Sequence, residues 1–580
     1  MTDASAHQAR IRGLFGANVN GHFVQFYVIK QVFLTRVSLW DVIMNRFAAK
    51  RSFFLSCLAL LTLVLSFSLP TGSYAQVTAM KQAIAEAAAK DRDIAAFYRA
   101  NGFEPIWTGK GGKDRTRRQQ LMRFLEASGD HGLPSERYDV VALKERMRSA
   151  KTVKEIGQLE VDISATFLRY ARDVQTGVLV PSRVDSAIVR QVPYRDRASY
   201  LVNFVKSSPS GFFKALPPKT PEYTGLMKAK LQMERQLAKG GWGPKVPAKA
   251  LEPGDSGAAV VALRDRLMRM GYLKRSNKTD YGTALQAAVQ AFQSAHGMTA
   301  DGVAGKSTIA EINKPLEARL QSVIVAMERE RWVNQTRGKR HILVNIPDFT
   351  AKIIDNGKVT FQTRSVVGMN KEDRPTPEFS DVMEFMVINP SWYVPRSIAT
   401  KEYLPALKKN PYAVKHIEIT DSRGRRVNRE AVDFTQFTER TFPFAMRQPP
   451  SRGNALGLVK FMFPNRHNIY LHDTPHKNLF GREIRAYSHG CVRLNDPFDF
   501  AYALLAKQTR DPEGFFQDKL ATGKEQQVNL EKPVPVHLIY RTAFITNKGR
   551  VEYRRDVYGR DAKIWKALSQ AGVALRALQS

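Results

Sequence analysis

One short stretch gathers the reactive groups of this chain: Tyr487-Ser488-His489-Gly490-Cys491-Val492-Arg493-Leu494-Asn495-Asp496-Pro497. The 580 residues hold 2 cysteines, Cys57 and Cys491. Nucleophilic chemistry by a thiol needs a thiolate, a base within reach, and N–H donors for the oxyanion that forms on attack. Gly490 lets the backbone turn sharply beside the sulfur, and His489 stands two residues before it. Asp496 and Pro497 read as the N-cap and first turn of a helix whose positive end faces back toward the thiol. A second imidazole, His472, ends the run Ile469-Tyr470-Leu471, and fifteen residues separate it from Ser488. One alternative is an inert, buried cysteine. Another is a zinc site of His472, His476, His489 and Cys491, but these spacings contain no tight ligand pair. No metal and no cofactor is expected.

The N-terminal sequence bears on why the thiol stands alone. Arg46 to Arg51 is basic, Ser52 to Leu69 is uncharged and apolar, and Pro70 to Ala75 carries the small residues Ser73 and Ala75. This is the order of a secretory leader, although the run is also long enough for an uncleaved membrane anchor. Met44 opens a more ordinary leader than Met1, so the expected start is Met44, with residues 1–43 a gene-model artefact. Cleavage after Ala75 removes Cys57. Cys491 is then the lone cysteine of an exported protein, where cysteines usually pair, and a reactive role follows. Lys and Arg outnumber Asp and Glu by 89 to 54, a net charge of +35, which favours an anionic partner. No dense basic run interleaved with aromatics is present, so no nucleic-acid partner is expected.

The length predicts several domains. Residues 1–75 form the N-terminal extension with its signal peptide or anchor. Residues 76–245 read as an all-α scaffold domain, with one helix from Met80 to Ala100 ending near Asn101-Gly102 and a stripe of Val161, Ala165, Leu168 and Ala171. Residues 246–316 read as a small three-helix module. Val260, Leu263, Leu267 and Met270 line its first helix. Thr283 and Gln286 form a capping box before the stripe Leu285, Val289 and Phe292, and Lys306 to Ile312 is the third helix. Residues 317–545 switch to period two. Strands are expected at His341–Ile346, Ala351–Ile354, Val359–Thr363, Val382–Ile388, Val459–Phe463, Ile469–His472 and Val534–Tyr540, with an Asn356-Gly357 hairpin turn. A further strand is expected from Val551, after a turn at Asn547-Lys548-Gly549. A charged, helix-leaning insert at about 396–455 reads as a cap over a substrate. Residues 546–580 are a C-terminal extension.

Two stretches carry a family resemblance. "GDSGAAVVALRDRLMRMGYL", "AVQAFQSAHGMTADGVAG" and "KSTIAEIN" resemble the peptidoglycan-binding family 1 module. His472 followed by Ser488-His489-Gly490-Cys491 resembles the signature of the L,D-transpeptidase (YkuD) catalytic domain, as do "VVGMNKEDRPTPEF" and "VINPSWYVPR". The whole layout is similar to the large murein L,D-transpeptidases of Gram-negative bacteria. The resemblance implies a multidomain chain with a mostly-β catalytic domain, a YkuD-type β-sandwich with a helical cap insert, in the periplasm. It implies that Cys491 is a nucleophile acylated by a peptidoglycan tetrapeptide stem with loss of D-Ala. An amine then resolves the thioester to give a 3→3 crosslink. His472 would be the base, and backbone amides at His489, Gly490 and Cys491 the oxyanion hole. His489 shapes the loop rather than acting as base. Arg493 anchors a substrate carboxylate or fixes the loop by an ion pair. Ser488, Tyr470, Trp392, Asn389 and Arg396 line the substrate groove. Stem peptides are the partners, with envelope proteins as further acceptors and membrane contact only through an uncleaved leader. L,D-carboxypeptidase activity, protein attachment, or a non-catalytic wall-binding scaffold are the other readings. Asp473 departs from smaller members, which more often have Gly or Ser there, and leaves open what orients His472.

Overall fold

The Ala-rich run that opens the helical region is broken in two, at Ala79–Ala88 and Arg92–Ala100. Asp91 lies between them, and its carboxylate accepts from the amides of Asp93 and Ile94, at 3.1 and 3.2 Å. A cap inside the run starts a second helix, so the single helix expected over Met80–Ala100 does not form. The computed structural model describes residues 79–333, 336–546 and 549–575. The leader-like segment, Cys57, Met44 and residues 547–548 of the expected turn lie outside them. No helix among the described residues is long and apolar enough to cross a membrane.

The helix Val153–Thr176 organises the first region. Thr152 and Glu155 form a capping box at its start. Glu160 on it is fully buried, yet its carboxylate accepts from the amides of Ile106, Trp107 and Thr108 and from the Tyr98 hydroxyl, which offsets its desolvation. Next come three helices, Ala258–Arg269, Thr283–Ala295 and Lys306–Ile312, around Val260, Leu263, Leu267, Leu285, Val289, Phe292, Ile309 and Ile312. The expected capping box at Thr283 is absent: Gly282 is the N-cap and makes no side-chain bond. Thr283 is already inside the helix, where its hydroxyl no longer faces the open amides.

The helix Leu316–Trp332 leads into the β domain and fastens it to the rest. Arg329 bonds Glu378 and Asp561, both at 2.8 Å, and Arg560 bonds Glu378 at 3.3 Å. These charges are buried, so each depends on its partners. The C-terminal helix Arg560–Gln570 packs Ile564 and Leu568 into a cluster with Leu320, Ile324 and Trp332.

Nine strands form the main sheet: β1 (Arg340–Asn345), β2 (Thr350–Asp355), β3 (Lys358–Gly368), β4 (Phe379–Ile388), β8 (Val459–Met462), β9 (Leu471–His472), β10 (Ala486–Ser488), β11 (Val492–Leu494) and β12 (Gln526–Ile539). β5 (Trp392–Tyr393), β6 (Glu418–Thr420) and β7 (Ala445–Gln448) form a second sheet, and β13 (Ala543–Ile545) pairs with β14 (Val551–Tyr553). Asn356 and Gly357, at φ 49° and 79°, make the β2–β3 turn, as a type I′ hairpin requires. The main sheet runs β10-β3-β11-β9-β8-β4-β12-β1-β2, and β2 also pairs with β3. It therefore closes on itself instead of splitting into the two layers expected of a sandwich. β3 makes this closure: Lys358 to Arg364 pair with β2, while Ser365 and Val366 pair with β11. A boundary at residue 545 cuts the β13–β14 hairpin, so the catalytic region and the C-terminal extension are not separate bodies.

The insert is less helical than expected. It holds the short helices Arg396–Ile398 and Leu404–Lys409, a π turn at Ala399–Tyr403, and the strands β6 and β7. Its apolar cluster of Ile398, Leu404, Leu407, Val414, Ile417, Phe434, Phe442 and Met446 makes it a folded unit.

Two histidines, one buried and one half-buried, give this fold an acid sensitivity. His296 stacks on Phe292 at 3.8 Å and on Tyr553 at 5.3 Å, and burial pushes its pKa down to about 3. His537 is pushed down to about 4 for the same reason. Below the ordinary histidine pKa of about 6.5 the unfolded chain takes up these protons and the folded chain does not. Their contribution is full above that pH and is lost as pH falls toward 3–4, by up to roughly 1.4 kcal/mol per unit for each ring. The melting temperature should drop between pH 7 and pH 5, and His296→Phe should flatten the drop; an unchanged slope would refute this origin.

Candidate active site

β9 and β11 lie side by side and parallel, with Val492 against Leu471 and Arg493 against His472. This brings the two chemistry-bearing stretches onto one floor. Above it opens a cavity of about 880 Å³. His472, Ser488, His489, Gly490, Cys491, Arg493, Tyr470 and Trp392 all line it, together with Tyr403, Lys401 and Glu402 of the insert. Asn389 and Arg396 do not. Asn389 donates to the carbonyls of Leu520 and Lys524, at 3.0 and 3.3 Å. Arg396 donates to carbonyls of the insert, including Glu439 at 2.9 Å. Both side chains hold the scaffold of the site, which corrects their assignment to the groove.

Cys491 is half-buried, and its Sγ lies 3.5 Å from the carbonyl of Asn468. Tyr470 and Trp392 line the cavity beside that sulfur, and the polar groups of Tyr470 favour its charged form. Desolvation nevertheless dominates and pushes the thiol up to about 11. His472 is buried, and desolvation pulls it down to about 3. The resting pair is thus a neutral thiol and a neutral imidazole. No hydrogen bond joins them among the described residues.

The question left by Asp473 has an answer in the backbone. His472 Nδ1 bonds the carbonyl of Asp473, its own neighbour, and the Leu456 carbonyl also faces the imidazole, so backbone groups orient the ring. The Asp473 carboxylate accepts from Leu458 N–H at 2.9 Å and pairs with Lys477 at 2.7 Å. Gly457, at φ 63°, makes room for it: a Cβ there would fall 2.3 Å from Asp473 Oδ2.

The Ser-His-Gly-Cys loop is built mostly to hold its own shape. Ser488 is buried, its hydroxyl donates to the Cys491 carbonyl at 2.5 Å, and it accepts from Gly490 N–H at 3.1 Å. Its hydroxyl is therefore spent inside the loop and not on substrate, and the Gly490 amide is not a free oxyanion donor. Gly490 does turn the chain, at φ 116°, and its carbonyl takes the Thr376 hydroxyl at 2.7 Å. The amides of His489 and Cys491 make no hydrogen bond among the described residues and remain as donors. His489 Nε2 lies 2.6 Å from Glu402, which also takes Arg374 at 2.8 Å. Arg493 forms neither ion pair nor hydrogen bond among the described residues, and its Nε is buried without a partner. Sequence reasoning missed Glu402, Arg374, Thr376 and Asn468, because they reach the thiol loop from three other connections: the insert, the β3–β4 link and the β8–β9 link. Asn468 alone carried a local signal, a residue type that tolerates its φ of 52°. Among the described residues no cluster of three or more His, Cys, Asp or Glu is placed to hold a metal.

A thiol, an imidazole on the neighbouring strand, free amides and an unpaired guanidinium in one covered cavity suit acyl transfer through sulfur. Residues 339–513 match the L,D-transpeptidase catalytic domain, YkuD. Residues 256–312 match a putative peptidoglycan binding domain, and residues 92–229 a scaffold domain. A putative L,D-transpeptidase of Haemophilus influenzae is 34% identical over 225 residues, which is 38% of this chain and 45% of the relative. The chain thus matches less than half the length of that relative. Two solved L,D-transpeptidases align over 51% of this chain: that of Xylanimonas cellulosilytica at 18% identity, with 98% of its chain covered and a TM-score of 0.16, and that of Stackebrandtia nassauensis at 14%, with 97% and 0.20.

Two outcomes follow from this geometry. Alkylation of Cys491 by iodoacetamide should keep accelerating with pH until about 11, since only about one thiol in ten thousand is ionised at pH 7. A plateau near pH 8.5 would contradict the desolvated thiol. Glu402→Gln weakens the joint between insert and loop, a half-exposed contact worth about 1 kcal/mol. Amide exchange should quicken at 396–404 and 489–491, and unchanged exchange at both would show that Glu402 does not hold the insert down.

Proposed function

We propose that this chain is an L,D-transpeptidase that works through a Cys491 thioester on peptidoglycan. The observation that carries the reading is the covered cavity in which Cys491, His472 and an unpartnered Arg493 meet. The donor is a tetrapeptide stem. Cys491 Sγ attacks the carbonyl of its third residue, diaminopimelate, and a C–S bond forms while the thiol proton passes to the His472 imidazole. The C–N bond to the terminal D-Ala then breaks, and the amine leaves with that proton. An amine of a second stem attacks the thioester, gives its proton to the imidazole, and releases Cys491 as a thiol with a 3→3 crosslink made.

The depressed basicity of His472 and the raised pKa of Cys491 decide the timing. Prior ionisation of the pair would be strongly uphill, so proton transfer accompanies attack and is not complete before it. The amides of His489 and Cys491 face the developing oxyanion. Arg493, short of a partner, matches a substrate carboxylate. The insert excludes water, so that an amine rather than hydroxide resolves the acyl enzyme. Export to the periplasm belongs to this reading, because stem peptides lie outside the cytoplasm, and the positive charge of the chain favours encounter with their carboxylates.

Incubation with purified disaccharide-tetrapeptide should yield crosslinked dimer and free D-Ala. Cys491→Ala should abolish both, and His472→Ala should slow acylation by about 10²-fold or more. Crosslinking by the Cys491→Ala variant would remove this site from consideration. A tripeptide as the sole product would redirect the assignment to a carboxypeptidase.

A further inference from the structure

The cavity wall is not built by the catalytic stretch alone. Ser186, Ala187 and Val189 line it too, and they lie within the stretch matched to the scaffold domain. This segment is a fixed strap. Val189 N–H donates to the Glu378 carbonyl and Glu378 N–H donates to the Ala187 carbonyl, both at 2.8 Å, so the strap pairs in parallel with the lead into β4. Ile188 between them is fully buried against the cluster that holds Leu320, Ile324 and Trp332. Arg190 reaches Ser380 Oγ at 3.1 Å, and Asp185 pairs with Lys563 at 2.7 Å. The Glu378 side chain is clamped by Arg329 and Arg560.

The register tells which part of a donor would meet this wall. With Val492 against Leu471, Cys491 faces Tyr470. His472 and Arg493 lie to one side of that point. His467 and Asn468 lie to the other, and the His467 ring packs 5.2 Å from Phe379, the residue after the strap's partner Glu378. The strap therefore belongs to the His467 side. The leaving amine must sit on the side of the imidazole that protonates it, and by microscopic reversibility the attacking amine arrives there as well. The acyl chain runs the other way. The strap and the lead into β4 give the cavity small side chains, Ser186, Ala187, Val189, Pro375 and Pro377, beside the polar His467 and Asn468.

We infer that the strap 186–189 is a specificity wall for the acyl half of the donor, the extended peptide between the sugar and the attacked carbonyl. This rests on the transpeptidase reading and adds to it that the scaffold region selects the donor. Bulk placed on the strap narrows the acyl side and leaves the thiol and the acceptor side untouched.

The test uses the full chain with Ser186→Trp and Ala187→Leu. Thioester formation is followed by mass with disaccharide-tetrapeptide as donor. Its kcat/KM should fall about tenfold or more, the size of an ordinary overpacking penalty. The rate of Cys491 alkylation by iodoacetamide, which needs no peptide site, should stay at the wild-type value, as should the KM for the acceptor stem. Should Ala187→Leu fail to fold, Ser186→Trp decides, because Ser186 is exposed and its backbone carries neither bond to Glu378. Equal donor kcat/KM in wild type and variant would overturn the wall while leaving the transpeptidase reading intact. Equal slowing toward iodoacetamide would also overturn it, by showing that the thiol itself had moved. Failure of the wild type to form any thioester would bring down the transpeptidase reading and the wall with it.

Discussion

The parallel pairing of β9 with β11 is the constraint on which the site depends. Two adjacent parallel strands cannot be joined by a tight turn; the chain must leave one end of the sheet and return to the other, which takes a dozen or more residues. Here that path runs from Asp473 through the short helix Lys477–Gly481 and β10 before it reaches the Ser-His-Gly-Cys loop. The interval between His472 and Ser488 is the length of that crossover. It is a mechanical requirement for placing an imidazole and a thiol on neighbouring strands, each held by backbone bonds and not by a mobile side chain.

Burial of both groups shapes the chemistry that this placement allows. Exposed to solvent, the thiol would ionise more readily and would meet water and oxidants. Desolvation instead holds Cys491 protonated and His472 neutral, although the polar groups of Tyr470 favour the charged sulfur. Under the proposed reading, such a site reserves its thiol for a carbonyl that brings its own polar surroundings into the cavity. Arg493 fits the same logic: a guanidinium whose Nε lies buried without a partner is costly until an anion arrives.

Much of the local structure was legible in the sequence, because it rests on short-range rules. The Asn356-Gly357 turn, the alternation of Ile342, Val344 and Ile346, and the glycine that bends the chain before Cys491 all follow from steric preferences of neighbouring residues. Closure of the sheet was not legible. It depends on β3 being long enough to serve two partners, β2 along its first part and β11 along its last, and pairing between distant strands leaves no mark in a local pattern. The site shows the same division. Cys491 and His472 stood out by type and spacing, whereas Asn389 and Ser488 were polar residues near the right motifs whose side chains turned out to satisfy backbone groups. Glu402 went unnoticed because its importance comes from meeting His489 and Arg374, a contact between three separate connections.

The modules are joined in a way that reaches the cavity. Arg329 and Arg560, with Glu378 and Asp561, form a buried charge network between the helix Leu316–Trp332, the lead into β4 and the C-terminal helix. Apolar residues could fill that space at less electrostatic cost, so what the charges add is registry: each guanidinium is satisfied in only one arrangement of the three elements. Glu378 is the shared member, since its side chain closes the network while its backbone pairs with the strap at 186–189. The same residue therefore sets where the helical region meets the catalytic region and how the wall of the cavity is placed. Sliding one module against the other would break the network and open the cleft together, which ties the geometry around Cys491 to the integrity of the whole described chain.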